Sequence, residues 1–414
     1  MGRLRRLILF FRRYYRNMGL RVVLYALSSL LAAFLGPLGA AWINDLLDIE
    51  MTFSSVLPVL TILASSMLAV STFSLNIMVA AHRAAANATT PRVHRILLED
   101  TTTQSVLAAF IGAFVYSLSS IILYRAGFYR EEAALLVMGL TILVVLGVVF
   151  SLLRWISHLT TLGSVDESLR VAQARAEETL TEIARHPRHG ARPLSDLTDW
   201  PDDAVKIPAP SSGFVQLVDI GQLHECIGAS ERLRIDVRAG MHVLEGAPVA
   251  EVTGSPSDDL VSSLSDAFTI GDTRSQDQDA EFGLTVLAES ASRALSPGIN
   301  DPGTAIQALC LLKSLLWHYA RTEPDEDAEL SDRVFAGFAD PEHLVDAAFR
   351  SIARDGAGTI EVAKHLRRAL AELAKCGDPS LEAAVRDMAD LAMAYSKSAG
   401  LLDQELEELR EINV

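Results

Sequence analysis

Residues 55–81 read SVLPVLTILASSMLAVSTFSLNIMVAA, a run without a single Asp, Glu, Lys or Arg. At about 1.5 Å per residue, a helix of this length exceeds the ~30 Å hydrocarbon core of a bilayer. The run predicts a membrane-spanning helix, and the rest of the chain is read outward from it. Three further apolar stretches, Val22–Ile43, Val106–Tyr124 and Ala133–Leu153, have similar length and also lack acids and lysines. Four membrane helices are therefore expected.

The flanks set the orientation. Arg3, Arg5, Arg6, Arg12, Arg13, Arg16 and Arg21 precede the first stretch with no acid among them. Asp45, Asp48 and Glu50 follow it, and Arg83, Arg92 and Arg95 follow the second. Excess Arg stays on the cytoplasmic side, which places both termini in the cytoplasm of a multi-pass inner-membrane protein. The long basic lead and three later spans make the first stretch a retained helix rather than a cleaved leader.

The 414 residues are 50% hydrophobic and only 21% charged, with a net charge of −16. Residues 1–155 hold 13 Arg and 7 Asp/Glu, and the remainder holds 23 Lys/Arg and 45 Asp/Glu. The second half is thus strongly acidic. It repels nucleic acid and anionic headgroups, so no nucleic-acid partner is expected. Three widely spaced cysteines, Cys226, Cys310 and Cys376, offer no CxxC pair and fit a reducing cytosol.

Five segments follow: a basic N-terminal piece (1–21), a four-helix membrane region (22–154), an amphipathic helix and linker (155–210), a small β module (211–275) and a helical domain (276–414). The fold class is a membrane α-helical bundle plus a cytosolic α+β part. Residues from about Ser164 to Arg185 read as one amphipathic helix, and five prolines in 186–210 read as a linker. Gly213–Val218 and Leu233–Val237 look like short strands, and Gly240–Val243 and Gly246–Val249 look like turn-plus-strand units. Asp301-Pro302, Asp340-Pro341 and Asp378-Pro379 each put an N-cap Asp before a first-position Pro. Val362, Leu366, Leu370 and Leu373 form one apolar helix face.

Several strings resemble a known family. Ala64-Ser65-Ser66 through Thr90-Pro91-Arg92-Val93, then Asp100–Gln104 with Phe110–Ser117, and above all Glu281–Leu284 with Arg293-Ala-Leu-Ser-Pro-Gly-Ile-Asn-Asp-Pro302 and Thr304-Ala305, are similar to the bacterial membrane proteins catalogued as domain of unknown function 2254. The resemblance implies a four-span region with a cytosolic part, and no established activity. It departs at Ala84–Asn87, where a Gln and more Ser are expected. The β module also resembles the barrel-sandwich of biotinyl-lipoyl and membrane-fusion proteins. No lysine lies between Lys206 and Lys313, so an acylated carrier role is excluded on chemistry.

Within the second span, Ser54, Thr61, Ser65, Thr72, Asn76 and Arg83 recur at spacings of 7, 4, 7, 4 and 7. At ~100° per residue they share about 60° of the helix circumference. Such a stripe lines a water-filled path for a small ion or solute, or it packs helices together. Both readings stand. Gln104, Ala108, Gly112, Val115 and Ser119 repeat a milder stripe that reads as helix contact. No carboxylate lies at mid-membrane, which argues against an ion-coupled transporter and leaves a passive channel.

Arg92, Arg95, Arg154 and His158 form a membrane-proximal basic set, either topogenic or in contact with lipid. Around the Ser296–Thr304 turn, Asn300 closes the corner and Asp301 caps the next helix. Alternatively Glu281, Ser296, Asn300, Asp301 and Thr304, with Arg274 and Arg293 as counter-charges, make a small polar ligand site. No metal-ligand spacing, cofactor motif, HExxH, GxSxG or phosphate loop is present, so no metal site, cofactor or catalytic residue is expected.

The expectation is a homo-oligomeric channel- or pore-like protein whose cytosolic half assembles or gates it, since one stripe on one chain cannot enclose a pore. The alternative is a membrane-anchored scaffold or sensor that binds a partner or small ligand without conduction.

Overall fold

A computed structural model describes residues 18–35, 51–88, 90–92, 101–129, 131–159, 164–325, 331–337 and 340–414. The chain divides into two units, Met1–Glu167 and Ser168–Val414.

The first unit consists of α1 (Met18–Leu35), α2 (Phe53–Ala88), α3 (Thr101–Arg125) and α4 (Ala134–Leu159). Among the described residues, three stretches are long and apolar enough to cross a membrane: Phe53–Ala81, Thr102–Arg125 and Ala134–Leu159. The expected first span is helical over Met18–Leu35 with a shorter apolar part, Val22–Phe34, and its residues 36–43 lie outside the described set. Four full spans therefore do not stand among the described residues.

α3 is the central helix. Val106, Leu107, Ala108, Phe110, Ala113 and Tyr116 are buried on it. A β-carbon at Gly112 would come 3.1 Å from the Ser29 hydroxyl and 3.5 Å from Tyr25 Cβ, so glycine is what lets α1 approach. In a membrane, close fit and buried hydrogen bonds hold helices together, because lipid is as apolar as the side chains. The fit is supplemented at one end. Phe53 stacks on Tyr124 at 4.3 Å and on Tyr129 at 5.6 Å. The Tyr129 hydroxyl donates to the Ala33 carbonyl of α1, and Tyr116 donates to the Val137 carbonyl of α4 at 3.2 Å.

The second unit begins within α5 (Val165–Arg185), whose Leu169, Ala172, Ala176 and Leu180 are buried. Among the described residues, eight strands follow: β1 (Arg192–Pro193), β2 (Val205–Pro208), β3 (Gly213–Val218), β4 (Leu233–Ile235), β5 (His242–Val243), β6 (Pro248–Val252), β7 (Phe268–Gly271) and β8 (Val334–Ala336). They form two sheets that share one buried core. The larger has the order β1-β8-β4-β6-β2 and the smaller β5-β3-β7. β8 pairs in parallel with both β1 and β4, and the remaining pairs are antiparallel. Ile207, Val215, Leu223, Leu233, Ile235, Val249, Leu264 and Val334 are fully buried between these elements.

Two sequence expectations change here. The expected linker contributes β1 and β2, and it is pinned by Trp200. That ring lies under the guanidinium groups of Arg232 (5.7 Å) and Arg234 (5.4 Å), and its Nε1 donates to Glu251 at 2.9 Å. The expected helical domain contributes β8, so the β module does not end at residue 275. Strands of two to four residues are too short to show a period.

The helices are α6 (Ile220–Cys226), α7 (Asp258–Ser265), α8 (Ala280–Ala294), α9 (Pro302–Arg321), α10 (Pro341–Asp355), α11 (Ile360–Leu373), α12 (Pro379–Ser398) and α13 (Asp403–Arg410). All three Asp-Pro pairs act as expected: Asp301 accepts from Thr304 N, Asp340 from Glu342 N, and Asp378 from Ser380 N and Leu381 N. Val362, Leu366, Leu370 and Leu373 are buried on α11. At Gly283 of α8 an added β-carbon would sit 2.8 Å from Ala176 Cβ, so two small residues set the contact between α5 and α8.

Candidate functional site

The stripe residues occupy one outward face of α2. Ser54, Thr61, Ser65, Thr72, Asn76 and Arg83 are all exposed, whereas Phe53, Val56, Leu60, Leu63, Met67, Ser71 and Ser74 are buried on the other side. The chain's own helices pack against that other side. The hydroxyls are satisfied locally: Thr61 donates to the Leu57 carbonyl (2.8 Å), Ser65 to Thr61 (3.0 Å) and Thr72 to Leu68 (2.9 Å). Ser54 shares a 2.7 Å hydrogen bond with Thr52. Such back-bonding lets a hydroxyl face an apolar neighbour at little cost. Asn76 is different, because a primary amide cannot satisfy all its donors and acceptors on its own helix. Ile62, Leu68 and Phe73 flank the stripe and are exposed as well. The milder α3 stripe behaves otherwise: Gln104, Ala108 and Gly112 are buried.

The membrane-proximal basic residues divide. Arg154 donates to Thr102 Oγ1 at 3.2 Å, and His158 Nε2 lies 3.1 Å from Thr103 Oγ1, so both α4 residues rest on the first turn of α3. Arg92 is exposed, and Arg95 lies outside the described residues.

The candidate residues of the second unit do not make one site. Glu281 and Arg293 sit at opposite ends of α8, twelve positions and so about 18 Å apart along its axis. At the first end, Arg274 grips Asp279 through Nε (2.7 Å) and Nη2 (2.8 Å), and its guanidinium lies 4.9 Å from the centre of the Phe282 ring. Asp279 is only 3% exposed and also caps α8 through Phe282 N at 3.0 Å. Glu281 pairs with Arg238 at 3.0 Å, a partner the sequence reading missed. Gly240 (φ +91°) presses onto this pair, with room for no β-carbon: one would lie 2.3 Å from Asp279 Oδ2. The carboxylates here are spent on arginines and on a helix end.

At the second end, the Ser296 hydroxyl donates to the Arg293 carbonyl (2.6 Å), and Asn300 takes the left-handed conformation (φ +51°) that closes the corner. Asp301 accepts from both Thr304 N (3.1 Å) and Thr304 Oγ1 (2.6 Å). The hydroxyl and then the amide of Thr304 hold the Asp301 carboxyl below its ordinary value. The Ser296 hydroxyl, the Asn300 backbone, the Asp301 carboxylate and Thr304 each have a structural task in this turn. Among the described residues no three His, Cys, Asp or Glu side chains converge on a point that could hold a metal ion. Burial pushes the Cys376 thiol up, away from the reactive thiolate form.

With this geometry in place, comparison with known proteins gives a family. The model of the predicted membrane protein family DUF2254 matches residues 16–372. The chain belongs to that family. Among its relatives are the uncharacterized proteins Rv1290c of Mycobacterium tuberculosis and Mb1321c of Mycobacterium bovis. Each is 27% identical over 304 residues, covering 70% of this chain and 57% of the relative. The chain therefore matches little more than half the length of these relatives. No solved structure matches it. The family match spans both units, from the apolar helices of the first to α11 of the second.

Proposed function

We propose that this chain is the protomer of a homo-oligomeric, channel- or pore-like protein of the bacterial inner membrane. In this reading Val22–Ile43 completes four spans, both termini lie in the cytoplasm, and the acidic second unit assembles or gates the ring. Its two small sheets serve as a barrel-sandwich-like assembly surface. Conduction of a small ion or solute is passive and involves no turnover of a substrate.

One observation carries this reading. All six stripe residues are exposed on the single chain, on the side of α2 opposite its packed face. A protomer that leaves its most polar membrane face uncovered is completed by copies of itself around water.

The test is the mass of the full chain in nanodiscs, with a map of the assembly. A ring with Thr72 and Asn76 toward the axis, and ion flux that Asn76→Leu abolishes without lowering the mass, supports the pore. A monomer or dimer with the stripe against lipid or a neighbouring helix overturns it.

The back-bonded hydroxyls favour a second reading, a membrane-anchored scaffold or sensor. There the stripe only packs, and the second unit binds a partner. Asn76→Leu would then leave no flux to lose and would change the oligomer or its stability.

A further inference from the structure

One face of α4 carries an exposed apolar column that ends in Arg154. Leu143, Gly147, Phe150 and Arg154 follow one another at spacings of 4, 3 and 4, so they lie on one side of the helix. Leu143 and Phe150 are each 68% exposed. Gly147 between them has nothing within 4 Å of where a β-carbon would stand, which leaves a notch in the apolar column. From Leu143 to Arg154 the axial rise is about 16 Å, the thickness of one leaflet of a ~30 Å hydrocarbon core.

At the foot of the column, Arg154 is exposed and donates to the neutral Thr102 hydroxyl. No carboxylate among the described residues pairs with it. A guanidinium has five N–H donors in a fork that matches phosphate oxygens. His158, on Thr103, brings a second imidazole donor or acceptor one turn below.

We propose that this face binds one anionic phospholipid of the cytoplasmic leaflet, with its acyl chain in the notch over Gly147 and its phosphate on Arg154. The proposal rests on the cytoplasmic side assigned above to the end of α4, and not on the existence of a pore. A cation near a membrane surface contributes roughly five-fold in affinity for anionic lipid.

The full chain in mild detergent is titrated with phosphatidylglycerol and with phosphatidylcholine, and bound lipid is counted by native mass spectrometry. The wild type is expected to prefer phosphatidylglycerol roughly five-fold. Arg154→Gln erases that preference, Arg154→Lys keeps part of it, and Gly147→Leu, which fills the notch, weakens both lipids alike. Equal binding of the two lipids by the wild type overturns the proposal. So does an Arg154→Gln chain that elutes normally and keeps its preference, or displacement of the lipid by millimolar inorganic phosphate, which would make this a free-anion site. Labelling of a Ser157→Cys chain, scored against its parent, separates the two ideas. Reaction only from the outer side overturns the assigned orientation together with the leaflet. Reaction from the cytoplasmic side without lipid preference sinks the lipid site alone.

Discussion

Glu131 caps a helix that begins 78 residues before it: its Oε2 accepts the Phe53 amide at 2.9 Å. The other oxygen accepts from the Tyr124 hydroxyl at 3.2 Å. One carboxylate thus ties the start of α2, the end of α3 and the short turn leading into α4. Glu131→Ala is expected to cost about 1 kcal/mol, as loss of an N-cap does. The measurement is thermal unfolding of the full chain in detergent. An unchanged midpoint would mean that the Phe53 amide finds another acceptor.

The Arg274–Asp279 pair makes a stronger prediction. Arg274→Ala leaves a carboxylate that is 3% exposed without its counter-charge, a loss of roughly 3 kcal/mol. Arg274→Lys recovers only part, because an ammonium cannot replace both bonds of the fork. Denaturant unfolding followed by Trp fluorescence would show the ranking wild type, Lys, Ala. Equal stability of all three would assign the pair no structural weight.

Gly240→Ala combines two penalties, a left-handed backbone and a β-carbon 2.3 Å from Asp279 Oδ2. The expected loss is about 2 kcal/mol or more. In an Asp279→Ala background the two shortest of these contacts disappear and the one with Arg274 Nη2 at 2.9 Å remains, so the double variant should lose less than the sum of the two single losses. A double-mutant cycle checks this, and strict additivity would contradict the geometry.

Asp301 predicts a pH dependence. Its carboxyl titrates below the ordinary value because the Thr304 hydroxyl and amide favour the charged form. A group lowered on folding adds stability above its unfolded value of about 4, and that stability is lost as pH falls through the folded value. Asp301→Asn keeps the cap but loses the charge at the helix N-terminus, so it should be less stable than wild type at neutral pH by a few tenths to about 1 kcal/mol, with the gap closing below about pH 4. A gap that persists undiminished in acid would separate the cap from its charge.

Much of this architecture was legible because some signals are local. The Asp-Pro caps declare helix starts within two residues, and Gly213–Val218 is read from sequence with the bounds the structure has. The spacing of Ser54 to Arg83 put six residues on one face, but spacing cannot say that the face points away from the chain's own helices. Arg238 was invisible as the partner of Glu281 because 43 residues separate them and nothing in either stretch names the other. β8 was missed because Val334-Phe-Ala336 is three residues long and its pairing with Leu233–Ile235 is a tertiary fact. Glu281 and Arg293 looked like one site because they are near in sequence, and a straight helix holds them apart.

The position of β8 also fixes when the second unit can form during synthesis. It fills the slot between β1 and β4, so neither neighbour is complete until residue 336 has emerged from the ribosome. At 5–20 residues per second, that is roughly 4–17 s after β6 ends at Val252. Through this interval β4 presents an open edge able to pair with a strand of another nascent chain. A chain cut between β6 and β8 would keep that edge permanently, and its second unit would be a seed for association rather than a smaller domain.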